Sequence, residues 1–113
     1  MTKRGWYGID LDGTLAEYTS GEWQGPNHIG PPVPKMLARV QAMLAEGKDV
    51  RIFTARACEG RGKCTEAIEL WCLRHLGRVL PITCMKDYDT IEIYDDRAVQ
   101  IVMNTGERVD GRP

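Results

Sequence analysis

The sequence predicts a mixed α/β chain: a mostly parallel, three-layer Rossmann-like sheet with helices on both faces. Two observations carry this. Short β-branched and apolar runs alternate with stretches of helical periodicity, in the order strand, helix, strand, helix, strand. Side chains able to do chemistry fall where those strands end, which is where ligands sit in open α/β sheets.

Trp6, Tyr7, Ile9 and Leu11 are strand formers and place an opening strand at about residues 5–11. From Thr14 to Pro34 the chain holds Gly21, Gly25, Pro26, Gly30, Pro31, Pro32 and Pro34, too many breakers for a long element. Tyr18 and Trp23 within it could form a flap, assigned to residues 16–34. Met36, Leu37, Val40, Met43 and Leu44 recur at helical spacing over 35–46, and Gly47 ends that helix. A second strand is expected at 49–54. A second helix follows at 64–76, with Ala67, Ile68, Trp71 and Cys72 on one face and Gly77 as its stop. Further strands are expected at 79–82, 91–94 and 99–103, before a polar tail.

At 113 residues the chain is expected to be one domain, long enough to bury roughly two-thirds of its unfolded surface. Fifteen basic and sixteen acidic residues leave a net charge of −1, so no global field favours nucleic acid or a membrane surface. No apolar run is long enough to span a bilayer, and Met-Thr-Lys-Arg-Gly-Trp-Tyr lacks a leader's apolar stretch, so a cytoplasmic location is expected. Cys58, Cys64, Cys72 and Cys84 contain no C-x-x-C pair, and neither zinc nor a disulfide is expected. Cys72 and Cys84 are expected to be core thiols.

The most informative segment is Gly-Ile-Asp-Leu-Asp-Gly-Thr-Leu at 8–15. Asp10 and Asp12 stand one residue apart where an apolar strand breaks into a Gly-Thr turn. Two carboxylates at such a place repel each other unless a cation lies between them. Mg²⁺ is the simplest occupant, with a phosphate completing its shell. Thr54 and Arg56 follow the second strand, Lys86 the third, and Asp95-Asp96 the fourth. Singly, each could be a solvated turn or surface charge; four strand ends agreeing is what argues for a site.

These residues resemble the haloacid dehalogenase superfamily, whose members are mostly phosphatases. Asp10-Leu-Asp12-Gly-Thr14 is similar to its nucleophile motif, Thr54 in Ile-Phe-Thr-Ala-Arg to its hydroxyl motif, Lys86 to its lysine motif, and Asp95-Asp96 to its terminal acidic motif. The resemblance implies a phosphomonoester hydrolase in which Asp10 forms an aspartyl-phosphate and Asp12 is the general acid and base. It implies Mg²⁺ held by Asp10, the Asp12 main chain and Asp95 or Asp96. Thr54, Ala55, Arg56 and Lys86 would contact the substrate phosphate.

Only eight residues separate Lys86 from Asp95, so the helix usual between those motifs must be missing or reduced to a turn. There is no room for a cap domain either, and the crevice should be open. Within that superfamily the chain is similar to the phosphatase domain of phage-type polynucleotide kinase, on Arg56 and on Asp95-Asp96-Arg97, and Arg61 with Lys63 would extend a basic rim. A phosphorylated small molecule or a nucleic-acid end is the expected partner, and a homo-oligomer is left open. Two rival readings stand beside this one. One is a catalytically idle phosphate-binding or assembly protein on the same fold; the other is a receiver-like phosphoacceptor domain, whose acidic pair would come first in the chain.

Overall fold

A computed structural model describes residues 4–18, 25, 27–58 and 64–113. Among the described residues, four strands and two helices run in the order β1 (Trp6–Ile9), α1 (Pro34–Ala45), β2 (Asp49–Phe53), α2 (Cys64–Leu76), β3 (Ile82–Thr83) and β4 (Thr90–Tyr94). A short 3₁₀ turn, Ala55–Ala57, follows β2. The sheet order is β3-β2-β1-β4 and every pairing is parallel. The expected α/β class and parallel Rossmann-like sheet are both present.

Alternation along β1 explains the layering. Tyr7 and Ile9 stand opposite Val50 and Ile52 of β2, and all four belong to one apolar cluster. Val40 and Met43 of α1 and Ile68, Trp71 and Cys72 of α2 complete that cluster. Both helices therefore lie on one face, where helices on both faces were expected. The reason is topological: β1 to β2 and β2 to β3 step in the same direction, and two right-handed crossovers of like direction cover the same face.

The opposite face carries Trp6, Phe53 and Arg51. The Trp6 and Phe53 rings lie 6.2 Å apart, and the Arg51 guanidinium sits 4.8 Å over the Trp6 ring. Trp6 is buried without a helix, and its indole N–H donates to Asp87 Oδ1 at 3.0 Å. Asp87 belongs to the connection over residues 84–89, which holds no helix, as the short Lys86–Asp95 spacing requires.

Two strands differ from expectation. The third begins at Ile82 because Pro81 has no N–H to give a ladder; its carbonyl instead accepts the Ile52 N–H at 2.8 Å. Residues 99–103 form no strand of the sheet. Ile101 makes only an isolated antiparallel bridge to Arg108, within a local hairpin. Of the flap expected at 16–34, the stem is described: Ala16 bridges Pro32, and the Glu17 N–H donates to Pro31 at 2.8 Å. Trp23, Arg61 and Lys63 lie outside the described residues.

Candidate active site

The end of β1 is built to project carboxylates. Leu11 and Leu15 are fully buried and pin the turn from below, so Asp10 and Asp12, which alternate with Leu11, face the crevice. The turn closes through the Leu15 N–H to Asp10 and the Ala16 N–H to Leu11, at 3.2 and 2.8 Å. Gly13 makes it possible. Its φ is +91°, and a Cβ there would lie 2.8 Å from Asp96 Oδ2.

Strand β4 runs parallel to β1 and ends beside it, with the Asp10 N–H donating to the Tyr94 carbonyl at 2.9 Å. This register delivers Asp95 and Asp96 to Asp10. One carboxylate oxygen from each of the three lies within 4.8 Å of the others. Thr14 ties the group together: its hydroxyl is 3.2 Å from Asp10 Oδ2 and 3.0 Å from Asp96 Oδ1, and accepts the Asp96 N–H at 3.0 Å. One hydroxyl proton serves a single carboxylate at a time, so the cluster remains short of positive charge. Burial, then the charges of Asp95 and Asp96, push the Asp10 carboxyl up to about 7.

That oxygen cluster fits a hard divalent cation. Mg²⁺ takes oxygen ligands at about 2.1 Å in octahedral array, which spaces them by roughly 3 to 4.2 Å. The donors are all carboxylate, and the charge they bring together is what such a cation would neutralise.

Thr54 ends β2 and is buried. Its oxygen accepts the Arg56 N–H at 3.1 Å, capping the 3₁₀ turn and leaving the hydroxyl proton available as a donor. Arg56 is only 4% exposed, and its fork meets Asp12: Nε to Oδ2 at 2.7 Å and Nη2 to Oδ1 at 2.8 Å. The same Nη2 donates to the His28 carbonyl at 2.8 Å. Arg56 was expected to grip a substrate phosphate. In the structure these nitrogens orient Asp12 instead, and the Asp12 carboxylate turns to Arg56 rather than joining the acidic cluster.

A cavity of about 630 Å³ gathers Asp10, Asp12, Thr54, Ala55, Arg56, Asp95 and Asp96, together with Tyr18 from the flap stem. Lys86 is not among its lining residues; it is exposed and lines the neighbouring groove along β4. Arg97 lines the cavity instead, held where its N–H donates to Asp95 Oδ1 at 2.8 Å. Cys84, expected in the core, is half-buried at this cavity with Cys58, whereas Cys72 is a buried core thiol. Thr14, at the end of the Asp10-Leu-Asp12-Gly-Thr14 segment, and Arg97, directly after Asp95-Asp96, were expected to have no site role of their own.

No protein-family model and no curated protein matches the chain. Among solved structures it is similar to a conserved protein from Bacteroides thetaiotaomicron, with a TM-score of 0.57 and 21% identity over 95% of this chain and 79% of that one. At that identity the likeness speaks for the fold: nearly all of this chain follows an architecture already seen in a natural protein.

Proposed function

We propose that the chain is a capless, haloacid dehalogenase-type phosphatase, hydrolysing phosphomonoesters with Mg²⁺. The observation that carries this reading is the meeting of Asp10 with Asp95 and Asp96, from distant parts of the chain, beside buried Thr54 and oriented Asp12.

Asp10, Asp95 and Asp96 would hold the cation, which when bound supplies positive charge against nucleophile and phosphate repulsion. An Asp10 oxygen attacks phosphorus as the bond to the leaving oxygen breaks, and that oxygen takes the Asp12 proton. Asp12 then accepts a proton from water as the water attacks the aspartyl-phosphate, releasing phosphate and restoring Asp10. Thr54 donates to a phosphoryl oxygen. Arg56 holds Asp12 in line, and Arg97 brings to the cavity the positive charge expected of Lys86. Among the described residues no cap domain covers the crevice, which suits a substrate extending into solvent, such as a nucleotide or a polynucleotide 3′-phosphate.

Turnover of p-nitrophenyl phosphate tests the reading. Activity should require Mg²⁺, vanish in Asp10→Asn, and fall at least about 100-fold in Asp12→Asn. A folded Asp10→Asn protein with normal turnover would remove the nucleophile. The idle phosphate-binding reading draws support from the position of Lys86 outside the cavity, and requires no turnover at all. A receiver-like domain would accumulate a stable phosphoprotein.

A further inference from the structure

Arg56 does not aim Asp12 unaided. Its Nη2 donates to Asp12 Oδ1 and to the His28 carbonyl, each at 2.8 Å, while Nε reaches Asp12 Oδ2 at 2.7 Å. A guanidinium is planar and its donors form a rigid fork. The His28 oxygen therefore helps to set the plane in which that fork meets the carboxylate. The aim of Asp12 depends on where the flap stem puts one main-chain oxygen.

The stem is clamped two residues further on. Gly30 lies hard against Glu17, where a Cβ would overlap the Glu17 carbonyl oxygen, so only glycine permits the approach. From the helix side, the Trp71 indole N–H donates to the Gly30 carbonyl at 2.9 Å. The Val33 N–H then donates to Leu15 at 2.7 Å and returns the stem to the β1 turn. Trp71 itself is well fixed: it is buried in α2, and the His75 ring lies 4.6 Å from its own. A buried indole needs some acceptor for its N–H. The acceptor used here stands two residues from the oxygen that Arg56 contacts.

We infer that Trp71 is a positioning residue for Asp12, acting through the flap stem at Gly30 and His28 and then through the Arg56 fork. Its catalytic consequence rests on the phosphatase reading above, in which the Asp12 proton passes to the leaving oxygen as the bond to phosphorus breaks. A tilted fork takes that proton off the line of transfer. A leaving group that would depart as an alkoxide then suffers, because it needs the proton. p-Nitrophenolate is stable without one and is little affected.

Two readouts on the full chain test this. Trp71→Phe keeps a ring and removes the N–H; Gly30→Ala displaces the same stem from the Glu17 side. In each, kcat/KM for ethyl phosphate should fall at least about tenfold relative to that for p-nitrophenyl phosphate, part of the about 10²–10⁴-fold that a general acid supplies. Val50→Ala opens a core cavity near the other end of β2 and should keep the wild-type ratio, since lost stability alone affects both esters alike. The second readout needs no turnover. Followed by nitrogen-edited NMR well below the melting temperature, the Arg56 Nε–H should exchange with solvent at least about tenfold faster in both stem variants than in wild type or Val50→Ala. Wild-type exchange in folded Trp71→Phe would overturn the proposal, and so would an unchanged ratio in a protein that turns over both esters. Gly30→Ala gives the same two readings should Trp71→Phe not fold. If wild type hydrolyses neither ester, the phosphatase reading falls, and the exchange rates still decide whether Trp71 positions the fork.

Discussion

Replacing Asp10 with Asn should make the metal-free protein more stable at alkaline pH while removing the nucleophile proposed above. The Asp10 carboxyl rises from 3.8 to about 7 on folding, first through burial and then through Asp95 and Asp96. That is about 3 units, or about 4 kcal/mol at 1.36 kcal/mol each. Asp10 is only half-buried, and solvent screening reduces this to about 2 kcal/mol. The folded state retains a proton that the unfolded chain has lost between these two values. Wild-type stability from this group is therefore present below pH 3.8 and lost as pH rises through about 7. Asn carries no charge and escapes that loss. Thermal melts in EDTA at pH 8 should place Asp10→Asn about 8 °C above wild type, taking about 4 °C per kcal/mol for a chain of this size. At pH 4.5 the gain should fall below about 1 kcal/mol. Mg²⁺ at pH 8 should raise the wild-type melting point and leave the variant nearly unmoved. An Asp10→Asn protein melting at or below wild type in EDTA at pH 8 would refute the claim that crowded carboxylates strain this site.

Gly13→Ala puts a Cβ at φ +91° and 2.8 Å from Asp96 Oδ2, so a strain of about 1–3 kcal/mol is expected. Displacing Asp96 should also weaken Mg²⁺ binding at least tenfold, measured by titration calorimetry. Arg56→Met strips Asp12 of its fork. Because Asp12 remains partly exposed, the loss should be about 2–3 kcal/mol in urea denaturation, below that of a fully buried pair. Turnover should fall with it, and Arg56→Lys should not restore turnover, since an ammonium cannot reproduce the side-on fork.

Much of this arrangement is legible along the chain because it is locally encoded. Leu11 and Leu15 against Asp10 and Asp12 state which side of the turn is buried, and the Gly-Thr pair states where the strand must break. Helical spacing of Val40 and Met43, and of Ile68, Trp71 and Cys72, marks the faces that meet the sheet. What escapes is set by tertiary partners. The fork of Arg56 on Asp12 joins residues 44 apart, and nothing near Arg56 distinguishes a fork for substrate from one for Asp12. Lys86 reads as a motif residue by its order in the chain, yet the helix-free connection leaves it outside the cavity. Residues 99–103 have strand composition, but a strand needs a neighbour, and here the neighbour is the other arm of a hairpin.

The parallel pairing of β1 with β4 fixes when the site can exist. Its first carboxylate is made some 85 positions before the other two (10 to 95), so closing that contact carries the entropy of a long loop. During synthesis the earlier strands and both helices can gather before β4 arrives, and a cation would find no complete cradle among them. Under the proposed function, completing the site and completing the fold thus become one event: a molecule that has lost its outer strand, even briefly, would be silent.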